Sequence, residues 1–100
     1  MRAIILVSES SVGLARKISQ AIDGVIYSQK ELDGCTVIKS YARFIKENWS
    51  SLEQIVFIGA MGICVRSIAP CVKDKYKDPA VVCVDSTGKF VIPVLSGHIG

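Results

Sequence analysis

Three observations in the sequence predict an α/β domain: a mostly parallel sheet flanked by helices, with a β-hairpin near the C-terminus. Short continuous apolar runs rich in β-branched residues, Ala3–Val7 and Ile55–Ile58, have the composition of strands buried on both faces. Segments with apolar residues at helical spacing follow each of them, the alternation expected of a parallel sheet with crossover helices. Two later apolar runs, Ala80–Val84 and Phe90–Leu95, are joined by Asp85-Ser86-Thr87-Gly88, turn chemistry with a glycine where a positive φ is wanted.

Each element has its own justification. After the first strand, Ser8-Glu9-Ser10-Ser11 leads into Leu14, Ile18, Ala21 and Ile22, one apolar stripe on a helix, with Ser10 or Ser11 as N-cap and Gly24 as the stop. A weak strand at Val25–Tyr27, or at Thr36–Ile38, precedes a second helix in which Tyr41, Phe44 and Ile45 share a face and Ser40 is the cap. The central strand Ile55–Ile58 runs into Gly59-Ala60-Met61-Gly62, which turns the chain into a short apolar helix from Ile63 to Ala69. Pro70 removes a backbone donor and restricts Ala69, so it kinks that helix or starts a second turn. A charged loop, Lys73–Pro79, leads to the hairpin, and Pro93 places the second hairpin strand on an edge or at a bulge. The whole reads as a Rossmann-like, three-layer arrangement. Ser96-Gly97-His98-Ile99-Gly100 has the look of another strand-to-helix loop, so residues 1–100 read as an N-terminal α/β domain cut at its C-terminal edge, one sheet face left bare.

Composition narrows the function classes. A chain of 100 residues supports one small core. Half of the residues are hydrophobic, yet no apolar run approaches a membrane span, and the first run is too short for a signal sequence, so a soluble cytoplasmic protein is expected. Cys35, Cys64, Cys71 and Cys83 would permit two disulfides, but with no export signal and no C-x-x-C pair they read as reduced, buried thiols and not as metal ligands. The net charge of +3 favours anionic partners mildly. Lys73, Lys75 and Lys77 beside Tyr76 form the one basic group, too sparse for nucleic acid and read as a solvated loop.

In open α/β sheets, ligands bind beyond the carboxyl ends of the strands, and three loops qualify: Ser8–Gly13, Gly59–Gly62 and Ser96–Gly100. Gly59 and Gly62 permit close backbone approach, and free N–H groups at the following helix start suit a carboxylate or phosphate, although a plain tight turn explains both glycines equally well. No dinucleotide fingerprint and no P-loop is present. Arg66, on an otherwise apolar helix, needs either an acidic partner (Asp74, Asp78 or Asp85) or a ligand carboxylate. His98, the single histidine, stands between strand end and terminus where a general base with a near-neutral pKa is useful.

Gly59-Ala60-Met61-Gly62-Ile63 with Val65-Arg66 and Ile68-Ala69-Pro70, then Asp74-Lys75, Asp78-Pro79-Ala80-Val81, Asp85, Gly88, and Leu95-Ser96-Gly97-His98 with Gly100, together resemble the signature of cobalt-precorrin-5A hydrolases of cobalamin biosynthesis. Members of that family are several-fold longer and usually continue the motif with a further glycine and an Ala-Asn pair. Cys64 and Cys71 depart from its aliphatic pattern. The resemblance implies hydrolytic opening of a corrinoid δ-lactone with release of acetaldehyde, on the anaerobic route to vitamin B12. It implies His98 as the base that activates water and the Gly59–Gly62 amides as oxyanion donors. Gly59, Ala60, Met61, Gly62, Arg66, Lys75, Asp78, Ser96 and Gly97 would contact an anionic cobalt-corrinoid. Cobalt arrives in the substrate, so no separate cofactor and no protein-bound metal is expected, nor a nucleic-acid or membrane partner; a homo-oligomer is allowed. The alternatives are a corrinoid-binding module whose chemistry lies elsewhere, and an anion-binding α/β domain unconnected with tetrapyrroles.

Overall fold

The computed structural model describes residues 1–96 and holds one six-stranded sheet. In chain order the elements are β1 (Arg2–Leu6), α1 (Val12–Ile22), β2 (Val25–Ser28), β3 (Thr36–Val37), α2 (Tyr41–Asn48), β4 (Gln54–Ile58), α3 (Met61–Ile68), β5 (Ala80–Val84) and β6 (Val91–Ser96). Strand order is β3-β2-β1-β4-β5-β6, parallel throughout except for the antiparallel β5–β6 pair. The chain moves from β1 to one side through β2 and β3, then returns through α2 to β4 on the other side. Right-handed crossovers in opposite directions put helices on opposite faces. Accordingly Ala15 of α1 packs with Ile4, Leu6, Ile26, Val56 and Ile58. Ile45 of α2 and Cys64 and Ile68 of α3 pack with Ile5, Ile55, Phe57, Val81 and Cys83 on the other face. Residues of alternating parity along β1, β4 and β5 therefore enter two separate cores, which is why those strands are apolar without interruption.

Several local expectations are refined. Both weak strands form, β3 pairing with β2 at the far edge. Ser40 caps α2 by accepting from the Arg43 amide at 3.2 Å. Before α1 a 3-10 turn spans Glu9–Ser11; Ser11 sits at the N-cap, but its hydroxyl donates to the Ser86 carbonyl at 2.9 Å instead of capping. Asp23, not Gly24, takes the left-handed position that ends α1, at φ 56°. Gly24 is needed for a different reason: a Cβ there would lie 2.9 Å from Ile4 Cδ1 and 3.1 Å from the Arg2 carbonyl oxygen. The third helix starts at Met61, two residues earlier than the apolar run suggests, because Met61 and Gly62 already follow an extended Ala60. Pro70 stands in a 3-10 turn, Ala69–Cys71, that prolongs α3. Pro93 satisfies both of its expected conditions, since β6 is an edge strand and the register slips between Val81 and Val82. Phe90 precedes β6 instead of starting it, and Gly88 takes a positive φ of 77° in the turn. No helix among the described residues is long and apolar enough to cross a membrane.

Candidate functional site: two ends of one sheet

The strand order reverses between β1 and β4, and a crevice opens above their carboxyl ends. It measures about 380 Å³ and is lined by Val7, Ser8, Gly59, Ala60, Ile63, Asp85 and Ser86. Gly59 keeps it narrow: a Cβ there would stand 2.9 Å from Val7 Cγ2, so the loops after β1 and β4 touch through the missing side chain. Ala60 at the start of α3 offers no side-chain cap. Gly62 is open, the nearest atom to a Cβ being Arg66 Nη2 at 3.9 Å.

Asp85 and Ser86, which the sequence did not single out as site residues, enter because the hairpin turn folds back onto α1. Gly88 lies against Leu14, where a Cβ would meet methyl carbons at 3.2 Å, and Ser11 holds the Ser86 carbonyl. Asp85 is the one charged residue in the lining. Its carboxylate accepts from the Thr87 hydroxyl, from the Phe90 amide at 2.7 Å and from the Thr87 amide at 3.2 Å. Those bonds, the Thr87 hydroxyl first, hold its pKa below the usual carboxylate value. The crevice is thus walled by apolar groups and a fixed negative charge.

The other cluster lies at the opposite end of the sheet. Because β6 runs antiparallel, its last residue Ser96 pairs with Ala80, the first residue of β5, and Ala80 pairs with Gln54, the first of β4. From Gln54 to Gly59 is about 17 Å of strand. The expectation that the loop after Phe90–Leu95 joins the other two loops is therefore corrected: the end of an antiparallel strand falls at the amino ends of its parallel neighbours, and Ser96 stands there. Gly97 and His98 lie outside the described residues.

At this amino-end face a pocket of about 260 Å³ is lined by Val72, Lys73, Asp74, Lys75, Asp78, Val94 and Leu95. Its floor is organised by Asp78, which is 5% exposed. One carboxylate oxygen accepts from the Trp49 indole at 3.0 Å, and the other from the Lys73 and Asp74 amides at 2.8 and 3.0 Å. Burial raises the Asp78 pKa, but the Lys73 amide, the indole, the Asp74 amide and the Lys73 charge together outweigh it and leave it below the ordinary value. Asp78, expected to touch substrate, lines this pocket, and both of its oxygens are engaged in shaping the loop. Asp74 accepts from the Tyr76 amide at 2.8 Å and, through its carbonyl, from the Lys77 and Asp78 amides. Lys73, Lys75 and Lys77 are exposed and make no ion pair among the described residues, Lys75 lying 5.1 Å from the Tyr76 ring centroid.

Arg66 belongs to neither cluster. It is exposed on α3 and pairs with none of Asp74, Asp78 and Asp85, because the inward side of that helix is Cys64, Ser67 and Ile68. The costly apolar setting inferred for it does not exist. The thiols behave as packing groups: burial, with Cys83 adjacent, pushes Cys64 up to about 12. Cys71 and Cys83 are also buried. Among the described residues no three His, Cys, Asp or Glu side chains gather as metal ligands.

With this geometry in hand, comparison with known proteins is informative. The sequence profile of the family described as Cobalamin synthesis G N-terminal matches residues 43–100, the stretch from α2 through the hairpin that builds most of both clusters. The chain belongs to this family. It is 34% identical over 101 residues to a cobalt-precorrin-5A hydrolase of Salmonella typhimurium and 34% identical over 107 residues to one of Priestia megaterium. In both cases the match takes in 98% of this chain and 29% of the relative, so the chain spans less than a third of the length of the curated relatives it matches. A solved structure described as a cobalamin biosynthesis protein G homolog from Sulfolobus solfataricus superposes with a TM-score of 0.73 at 28% identity, over 97% of this chain and 29% of that one. The α/β fold and the family expected from the sequence both hold.

Proposed function

We propose that this domain works in the cytoplasm in the hydrolysis of cobalt-precorrin-5A to cobalt-precorrin-5B and acetaldehyde, and that it meets the corrinoid at the amino-end face of its sheet. The observation that carries the reading is the family membership, together with two relatives named for that reaction over the whole of this chain. Location follows from chemistry. A macrocycle fringed with acetate and propionate groups is a polyanion with apolar faces. The amino-end pocket pairs apolar walls (Val72, Val94, Leu95) with Lys73 and Lys75 beside Asp74 and Asp78, whose carboxylates accept from backbone amides, whereas the crevice above β1 and β4 has Asp85 and no cation in its lining.

His98 is the proposed base, taking a proton from the water that attacks the lactone carbonyl. It follows Ser96 by two residues, and two residues extend a chain by at most about 7 Å. In this reading the base serves a substrate at the amino-end face, the end of the sheet away from the Gly59–Gly62 amides, and the oxyanion donors are other than those amides. The donors come from elsewhere in the protein. Cobalt is part of the substrate and takes no protein ligand in this reading.

His98→Ala in the full native chain tests the proposal. Acetaldehyde release should fall roughly 10²-fold or more, with corrinoid affinity little changed. His98→Gln should not rescue it; recovery with Gln would make His98 an orienting group. The short span of the relatives covered by this chain favours a second reading, in which the domain only holds the corrinoid and turnover resides in the remaining polypeptide. Near-normal turnover in His98→Ala, with affinity still sensitive to Lys73 and Lys75, would select it.

A further inference from the structure

The hairpin carries the most exposed apolar surface of the described residues: Phe90 is 67% exposed, Val91 60% and Ile92 49%, and Pro93 follows them. Runs of this kind on a sheet mark contacts, not solvent faces. Register sorts them. Val91 pairs with Val84 and Pro93 with Val82, both of the α1-side core, whereas Ile92 pairs with Cys83 on the α3 side. On the α1 side a single helix serves six strands, and α1 lies over β1 and β2, at a distance from β6. Among the described residues no helix covers Val91 and Pro93 on that side of the hairpin, whereas Val84 beside them is buried, and parallel α/β sheets do not normally leave such a face open.

We infer that the α1-side face of β6, formed by Val91 and Pro93 with Phe90 at its rim, is the docking surface for polypeptide that the longer relatives carry outside this domain. Two observations select this occupant. More than two thirds of each matched relative lies beyond the match, enough chain to supply a covering element in cis at high effective concentration. Strand addition by a second copy is disfavoured at this edge. The Asp85 amide donates to the Phe90 carbonyl at 3.2 Å, so Phe90 and Ile92 turn their backbone polar groups to β5 while Val91 and Pro93 face outward, and Pro93 has no N–H to offer. A covering segment therefore lies on the face. The inference rests on family membership and is independent of the hydrolase reading.

The test is thiol labelling of Val91→Cys in the full native chain, read at that site by peptide mass spectrometry, in a Cys35→Ser background because Cys35 is the one thiol of residues 1–100 that is not buried. Labelling by a maleimide should be about 100-fold slower than for Lys17→Cys, an exposed site on α1, and independent of protein concentration. Pro93→Cys reads the same face should Val91→Cys fold poorly. A rate within a few-fold of Lys17→Cys would overturn the inference, as would protection that appears only as concentration rises, which would assign the face to a second copy.

Discussion

At the carboxyl ends of the parallel strands the crevice between β1 and β4 is narrow, apolar and lined by one carboxylate, Asp85, that its own turn favours in the charged form; at the amino ends a smaller pocket is lined by two exposed lysines and Asp74 and floored by the buried Asp78, whose hydrogen bonds are all internal. Apart from Val7 and Ser8 of the crevice, the lining of both belongs to the family-matching segment, 43–100. The difference teaches that the switch-point rule locates a crevice, not a function. In the proposed reading a polyanionic substrate goes to the end that carries lysines without an ion pair among the described residues, the end at which the antiparallel β6 places Ser96.

The largest effect that would break the comparison is at Asp78. Asp78→Ala strands the Trp49 indole and two amides, and since a bond to a charged acceptor contributes about 1.5–3 kcal/mol, urea unfolding should show a loss of roughly 3 kcal/mol or more. Trp49, the one tryptophan, reports the change by its emission. A loss below about 1 kcal/mol would mean that Asp78 does not organise the floor. Acid carries the same signature. A folded-state pKa below the unfolded value contributes stability that is present above the unfolded pKa, about 3.9, and lost as pH falls through the folded one, so the Trp49 signal should change below about pH 4 in the wild type and less in Asp78→Asn.

Gly59 and Gly62, three residues apart, sharpen the contrast within one loop. Gly59→Ala forces a Cβ against Val7 and should cost about 1–3 kcal/mol; Gly62→Ala meets only open space in a helix and should gain up to about 1 kcal/mol. The smallest effect belongs to Arg66→Met, within about 0.5 kcal/mol by thermal melt, since the side chain is exposed and unpaired among the described residues.

Much of the fold was legible because apolar runs and cap residues are local signals: β1, β4, α2 with its Ser40 cap, and the hairpin turn with Gly88 follow from neighbours in sequence. What stayed hidden is long-range. Nothing near Asp78 in sequence announces Trp49, 29 positions earlier, as its partner. Arg66 looked buried because its sequence neighbours Ile63 and Val65 are apolar, yet both are themselves exposed at 37% and 43%. The grouping of Ser96 with Gly59 failed for a different reason: the hairpin was legible, and the end of its antiparallel second strand lies at the amino ends of the parallel strands.

The most direct test is an amide chemical-shift footprint of the protein titrated with dicyanocobyrinic acid, a diamagnetic cobalt corrinoid with free acid groups. Shifts should concentrate at Val72–Asp78 and at Val94 and Leu95, weaken roughly tenfold in apparent affinity in the Lys73→Gln, Lys75→Gln double variant, and fade with salt. Shifts confined to Ser8, Gly59–Ile63 and Asp85–Ser86, untouched by the lysine changes and abolished by Gly62→Val, would contradict the account and return the site to the switch-point crevice.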